Sequence, residues 1–135
     1  MTEYPAKILI AFGEAVSEKT TFLYWLIRNG YPELGALANA IHTNPEAISW
    51  LMKNRYPHFA AFAKAIWDDD NAMKWLRVNN YEIMARIADG ARGNIESINW
   101  LDNNDLQIFS IISKKIEAYK LRKLDDLSDY HKMRF

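Results

Sequence analysis

The chain has 135 residues, half of them apolar and 13% aromatic, with five glycines and four prolines. This composition is typical of one folded domain and excludes collagen-like or disordered sequence. The chain contains no cysteine, which excludes disulfides and thiolate chemistry. Lysine and arginine together number 17, as do aspartate and glutamate, so no net charge attracts the protein to nucleic acid or to an anionic membrane.

The N-terminal segment does not have the pattern of a targeting signal. Its apolar run is short and is flanked by Glu3 and Glu14, which predicts no secretory signal peptide. No stretch approaches the roughly 20 apolar residues that a membrane-spanning helix needs. We therefore expect a soluble, cytoplasmic protein with no membrane partner.

A repeat with a period of 25 residues runs through the sequence. A Trp-Leu pair occurs four times at this spacing, and an asparagine follows each tryptophan by four positions. Large apolar residues and small residues recur in the same register. The columns include Trp25, Trp50, Trp75 and Trp100; Asn29, Asn54, Asn79 and Asn104; Phe12, Leu37, Phe62, Ile87 and Ile112; and Gly13, Ala38, Ala63, Ala88 and Ser113.

Each repeat predicts two short helices. In the first, helix A, apolar residues at Leu34, Leu37 and Ile41 form the stripe of an amphipathic helix. Asn44, followed by a proline, predicts the start of the second, helix B. Asn54, after the last periodic residue of helix B, predicts a left-handed cap. Because one hairpin buries too little apolar surface alone, the repeats must stack, and we predict an all-α solenoid of about 4.5 helical hairpins.

We predict one helical-repeat domain, 1–135, that contains all the repeats. Arg122 and Lys123 stand where helix B of an earlier unit has Ala47 and Ile48, and this polar substitution is typical of a capping element. We expect the tail to be a helix with a loose end. The boundaries are a half repeat 7–24, repeats 25–49, 50–74 and 75–99, a terminal repeat and cap 100–120, and a tail 121–135.

The unit PELGALANAIHTNPEAISWLMKN resembles the helix pair of an ankyrin repeat, with its proline-led, alanine-rich first helix. Ankyrin repeats have about 33 residues. The unit here is shorter by about the length of their β-hairpin finger. The resemblance implies a protein-interaction scaffold.

One column varies while the core columns do not. His42, Trp67, Arg92 and Glu117 differ in size and charge, which we interpret as a sign of recognition rather than of packing. Trp67 either packs over a seam between A helices or is an exposed anchor. His42, Trp67 and Arg92 are therefore the candidate partner-binding residues. The Trp25 column, by contrast, we interpret as buried packing between units.

A second hypothesis rests on the one local basic patch of the sequence. A solvated capping helix explains these cations without a ligand, but they also suit phosphate contact. The alternative function is therefore a helical-repeat nucleic-acid binder that uses the basic C-terminal helix, although nucleic acid is not the favoured partner. The residues concerned are Lys114, Lys115, Lys120, Arg122 and Lys123.

No motif indicates catalysis, a metal or a cofactor. His42, His58 and His131 lack the spacing of a helical zinc site. The run Asp68–Asp70 lacks the glycine and glutamate of a calcium loop and is interpreted as a helix cap. We therefore predict a non-enzymatic protein–protein interaction scaffold whose partner and oligomeric state the sequence leaves open.

Overall fold

The computed structural model describes the backbone of residues 1–133 and the side chains of residues 1–128. This part of the chain contains nine α-helices and no strand, which confirms the predicted all-α fold. The helices are α1 (Ala6–Val16), α2 (Thr20–Arg28), α3 (Pro32–Ile41), α4 (Pro45–Lys53), α5 (Pro57–Ile66), α6 (Asp70–Val78), α7 (Glu82–Ala91), α8 (Ile95–Asn103) and α9 (Gln107–Met133).

The helices pack serially in two layers, as a solenoid does. The inner layer contains the A helices α1, α3, α5 and α7 and the first part of α9, each in contact with the next. The outer layer contains the B helices α2, α4, α6 and α8, each packed against the two inner helices that flank it in the sequence. In addition, α9 contacts α1. This contact, which the sequence did not predict, closes the inner layer into a ring of five helices.

Large apolar side chains fill the centre of the ring. The column of Phe12, Leu37, Phe62, Ile87 and Ile112 is at most 2% exposed. The adjacent column of small residues lies where inner helices approach each other: Ser113 Oγ donates a hydrogen bond of 2.7 Å to the Ile87 carbonyl of the neighbouring helix. One large and one small residue per inner helix therefore produce close packing around the ring.

Each turn from an inner to an outer helix has a left-handed residue, and in the turns after α3, α5 and α7 a capping side chain follows it. After α3, Thr43 has φ 68°, and Asn44 Oδ1 accepts hydrogen bonds from the amides of Glu46 and Ala47 at 2.9 and 3.3 Å. The cap predicted in the aspartate run is confirmed, because Asp69 accepts from the Ala72 amide at 3.0 Å. These caps satisfy helix N-terminal amides that have no partner within the helix.

Helix α9 is long because its sequence lacks these turn signals. Ala118 and Tyr119 stand where Thr43 and Asn44 stand in the second unit, so the chain has neither a favoured left-handed residue nor a cap, and α9 continues to Met133. The predicted tail 121–135 is therefore helical as far as Met133, and residues 134–135 lie outside the described residues. Within the described part of the chain, no helix is long and apolar enough to cross a membrane.

The asparagine column has a different role from the predicted one. Asn54 has φ −97°, and the left-handed residue is its successor Arg55, with φ 68°. The Asn54 side chain instead donates from Nδ2 to the Trp50 carbonyl at 2.8 Å. The last carbonyls of a helix lack partners within it, so an amide donor four positions later satisfies one of them. Asn29, Asn79 and Asn104 do the same for Trp25, Trp75 and Trp100.

The prediction that the tryptophan column is buried packing is only partly right, because Trp25, Trp50 and Trp100 pack against the core but none of them is fully buried. Trp50 is half-buried and Trp75 is 38% exposed, whereas the leucine that follows each tryptophan is fully buried. One residue rotates the side chain by about 100° around a helix, so only one member of the Trp-Leu pair can face the inner layer. The tryptophans cover the outer surface instead: Trp50 stacks on Tyr56 with ring centroids 6.3 Å apart.

Truncating the leucine should therefore cost more than truncating the tryptophan. We expect Leu51→Ala to lower the free energy of unfolding by about 2 to 5 kcal/mol, the range for a buried leucine. Trp50→Ala, which removes a half-buried ring and its stacking on Tyr56, should cost about 1 to 2 kcal/mol. Urea denaturation of both variants measures the difference, and a larger loss for Trp50→Ala would contradict the assignment of the core.

Candidate functional site

The candidate residues His42, Trp67 and Arg92 lie at the C-terminal ends of three successive inner helices. Each donates an N–H group to a last-turn carbonyl of the preceding inner helix. His42 Nε2 donates to Val16, Trp67 Nε1 to Ile41 and Arg92 Nε to Ala65, all at 2.8 Å. All three residues therefore act as N–H donors to a carbonyl, although their size and charge differ. This common role at helix-end carbonyls gives the column a function in packing, and its part in partner binding stays a prediction.

Helix α9 covers this end of the ring. Tyr119, 4% exposed, lies against His42 with ring centroids 4.5 Å apart and meets Trp67 edge-on at 6.4 Å. The ammonium group of Lys120 lies 5.4 Å from the Trp67 ring. Glu117, the fourth member of the column, approaches Gly93. Trp67 is half-buried among these groups. This geometry fits the packed seam better than the exposed anchor.

Most basic residues of α9 form ion pairs with carboxylates that lie elsewhere in the chain. Lys115 lies 3.2 Å from Glu14, Lys120 lies 3.8 Å from Asp68, and Arg122 and Lys123 lie 3.8 and 3.3 Å from Glu18. Burial lowers the pKa of Lys120, while the Asp68 carboxylate opposes this shift. Lys114 is exposed. Four of the five predicted phosphate contacts therefore face carboxylates rather than an open anion site.

A cleft of about 550 Å³ separates the second half of α9 from the end of the ring. It contains the candidates His42 and Trp67 together with Tyr119 and Lys123. Arg92 does not line it. Among the described residues, no group of three histidine, aspartate or glutamate side chains is placed to hold a metal ion. The cleft therefore has aromatic walls, with one lysine and one carboxylate, Asp126, beside them.

The ring has a second distinctive surface at the seam between α9 and α1. Each of the other four pairs of neighbouring inner helices holds an outer helix in its outward groove. Because α9 continues as one helix to Met133, no helix within residues 1–133 turns back to cover the fifth groove. We call this uncovered surface the fifth groove. It encloses about 280 Å³ and is lined by Leu9, Ile10, Gly13, Ile108, Ile111, Ile112 and Lys115.

The fifth groove exposes large apolar side chains. Ile10 is 57% exposed and Ile111 is 52% exposed. Ile10 also lines a neighbouring depression of about 460 Å³ that contains Phe22, Trp25 and Lys7. Phe22 is 37% exposed there, and the Lys7 ammonium group lies 5.8 Å from the Trp25 ring. Contiguous exposed apolar surface of this kind is typical of an interaction site.

Sequence reasoning missed the fifth groove, although one column signals it. Ile10 belongs to a column that is otherwise small and buried: Gly35, Ala60, Ala85 and Ser110. These small residues lie under the preceding outer helix, and a methyl group placed on Gly35 would be 2.7 Å from Ile27 Cγ1. In α1 no outer helix precedes within the described chain. A large apolar residue at this exposed position is therefore not explained by packing inside the molecule.

The donor role of Trp67 gives a direct test. Trp67→Phe keeps an aromatic ring but removes the N–H that bonds to the Ile41 carbonyl, so we expect a loss of about 1 to 2 kcal/mol in the free energy of unfolding. Trp75→Phe, at an exposed tryptophan of the outer layer, is the matched control and should change stability by less than about 0.5 kcal/mol. Equal denaturation midpoints for the two variants would refute the donor role.

The ion pairs of Glu14 predict acid sensitivity of the ring. Hydrogen bonds from Lys19 and Lys115 hold the pKa of Glu14 below its usual value. Because the folded pKa is the lower one, this stabilisation is present above the unfolded pKa, near 4.5, and is lost as pH falls through the folded pKa. We expect Glu14→Gln to cost about 1 kcal/mol at neutral pH and to lose less stability than the parent between neutrality and the acid range. Thermal melts from pH 7 to 3 would show parallel curves if Glu14 were unimportant.

Comparison with protein-family models, with curated proteins and with solved structures finds no match. The functional surface must therefore be identified from the geometry of the chain itself. At the fifth groove the repeat pattern is incomplete, and the large apolar side chains of Ile10 and Ile111 are exposed together. The fifth groove is thus the strongest candidate for a functional site.

Proposed function

We propose that the protein is a non-catalytic interaction module that binds another protein in the fifth groove. The observation that carries this proposal is the exposure of Ile10 and Ile111 where the other inner helices are covered by an outer helix. Complete burial of an aliphatic side chain of this size is worth about 1.5 to 3 kcal/mol, so covering the half-exposed pair is a sizeable driving force for association.

Three further features support a protein partner. The similarity of the helix pairs to ankyrin repeats is in line with an interaction scaffold. The ion pairs of Lys115, Lys120, Arg122 and Lys123 with carboxylates of the ring weaken the case for nucleic acid, which binds mainly through free cations. The fifth groove is also lined almost entirely by apolar side chains, which suits recognition better than chemistry.

Site-specific photo-cross-linking in the native host tests the proposal. A benzoylphenylalanine at position 10 or 111 should form a product with one partner protein. The matched control carries the same group at position 121, because Leu121 is 54% exposed but lies outside the fifth groove. The product should disappear when Ile10→Glu is added to the chain that is labelled at position 111.

The alternatives have their own signatures in the same experiment. Equal products at positions 10, 111 and 121 would indicate nonspecific contact and contradict the proposal. A product of twice the mass of the chain would identify a second copy and would also contradict it. Absence of any product at positions 10 and 111, with intact folding by circular dichroism, would exclude the fifth groove as a binding surface.

A further inference from the structure

We propose that the partner occupies the fifth groove with a short amphipathic helix, which supplies the outer helix that residues 1–133 do not form between α9 and α1. This inference rests on the proposed function and names the chemistry of the partner. The molecule itself holds helices of nine residues in the corresponding four grooves. An occupant of the fifth groove therefore continues the outer layer.

The existing outer helices show which contacts the occupant must make. In α4, Ala47 and Leu51 are buried against the inner layer, and Ile48 is half-buried. The outer helix runs back along its own inner helix and also meets the next one. The occupant should therefore have apolar residues at the positions of Ala47 and Leu51, and polar residues on the opposite side.

The fifth groove differs from the other four at one apolar position. Ile10 stands in the column of Gly35, whose Cα faces Ile27 of the preceding outer helix so closely that a methyl group would lie 2.7 Å from it. The larger Ile10 side chain fills the space that an isoleucine occupies in α2. The occupant must therefore have a small residue where α2 has Ile27 and α4 has Met52.

The fifth groove also differs at one charged position. Lys115 stands in the column of Ala40, Ala65 and Gly90, and a methyl group on Gly90 would lie 2.7 Å from Ile98 of α8. In the fifth groove, Lys115 therefore places a cation next to the occupant residue that corresponds to Ile98. An acidic residue there, which corresponds to Ile48 in α4, would share the Lys115 ammonium group with Glu14, which lies 3.2 Å from it. The occupant is thus an amphipathic helix with one acidic residue at the position that faces Lys115.

Stapled peptides test this chemistry on the full chain. The parent peptide has the sequence of residues 44–56, NPEAISWLMKNRY, with a hydrocarbon staple between positions 49 and 53, which are both exposed in α4. The adapted peptide adds Ile48→Glu and Met52→Ala. By fluorescence anisotropy we expect the adapted peptide to bind at least about tenfold more tightly than the parent.

A variant of the protein should reverse the preference. Ile10→Ala combined with Lys115→Ala gives the fifth groove the small residues of the other four, so the parent peptide should then bind more tightly than the adapted one. Leu121→Ala is the matched control and should keep the original order. A thermal melt of each variant verifies that the ring is folded.

The failures of the two proposals are distinguishable. A cross-linked partner at positions 10 and 111, together with peptides that do not bind at about 1 mM, would leave the proposed function standing and refute the helix. A preference for the adapted peptide that persists in the double variant would show that it binds elsewhere, which also overturns the inference. A concentration-dependent dimer that Ile10→Glu abolishes would replace the partner helix with a second copy.

Discussion

The contact between α9 and α1 is the constraint on which the rest of the structure depends. It gives every inner helix two inner neighbours, so the central apolar columns are enclosed on all sides. At this seam Lys115 both packs against Gly13, with 3.2 Å between its Cδ and a methyl group placed on that glycine, and pairs with Glu14. Because α9 must lie in the ring and also cross its end, no segment of the described chain is left to form a fifth outer helix.

The donor column shows how a repeat can vary in sequence and keep one physical role. Histidine, tryptophan and arginine have little in common in size or charge, but each has an N–H group that belongs to a rigid planar system. At the C-terminal end of an inner helix that group reaches a carbonyl of the helix before it. The carbonyl is an obligatory acceptor, whereas the rest of the side chain is free to adapt to Tyr119 and Lys120 of α9.

Much of the fold was predictable because it depends on local and periodic signals. The 25-residue period, the apolar stripe of helix A and caps such as Asn44 and Asp69 are short-range features, and the structure confirms them. The burial of Leu51 rather than Trp50 was not predictable from the period, because both columns are equally regular and only the packing direction separates them. The functional surface was missed for a related reason. Ile10 becomes unusual only when the ring closes beside Ile111, and closure joins residues about 100 positions apart, a distance at which sequence patterns carry little information.

Closure also fixes how many units the protein can have. Five helices that pack about 9 Å apart around an axis lie roughly 8 Å from it, and one large side chain from each fills the centre. A sixth inner helix would leave a hollow core, and four would crowd Phe12, Phe62 and their neighbours. Open repeat arrays lengthen or shorten by whole repeats at little cost, since each repeat contacts only its neighbours. This ring has no such freedom, so duplication or loss of a 25-residue unit would damage the whole core at once.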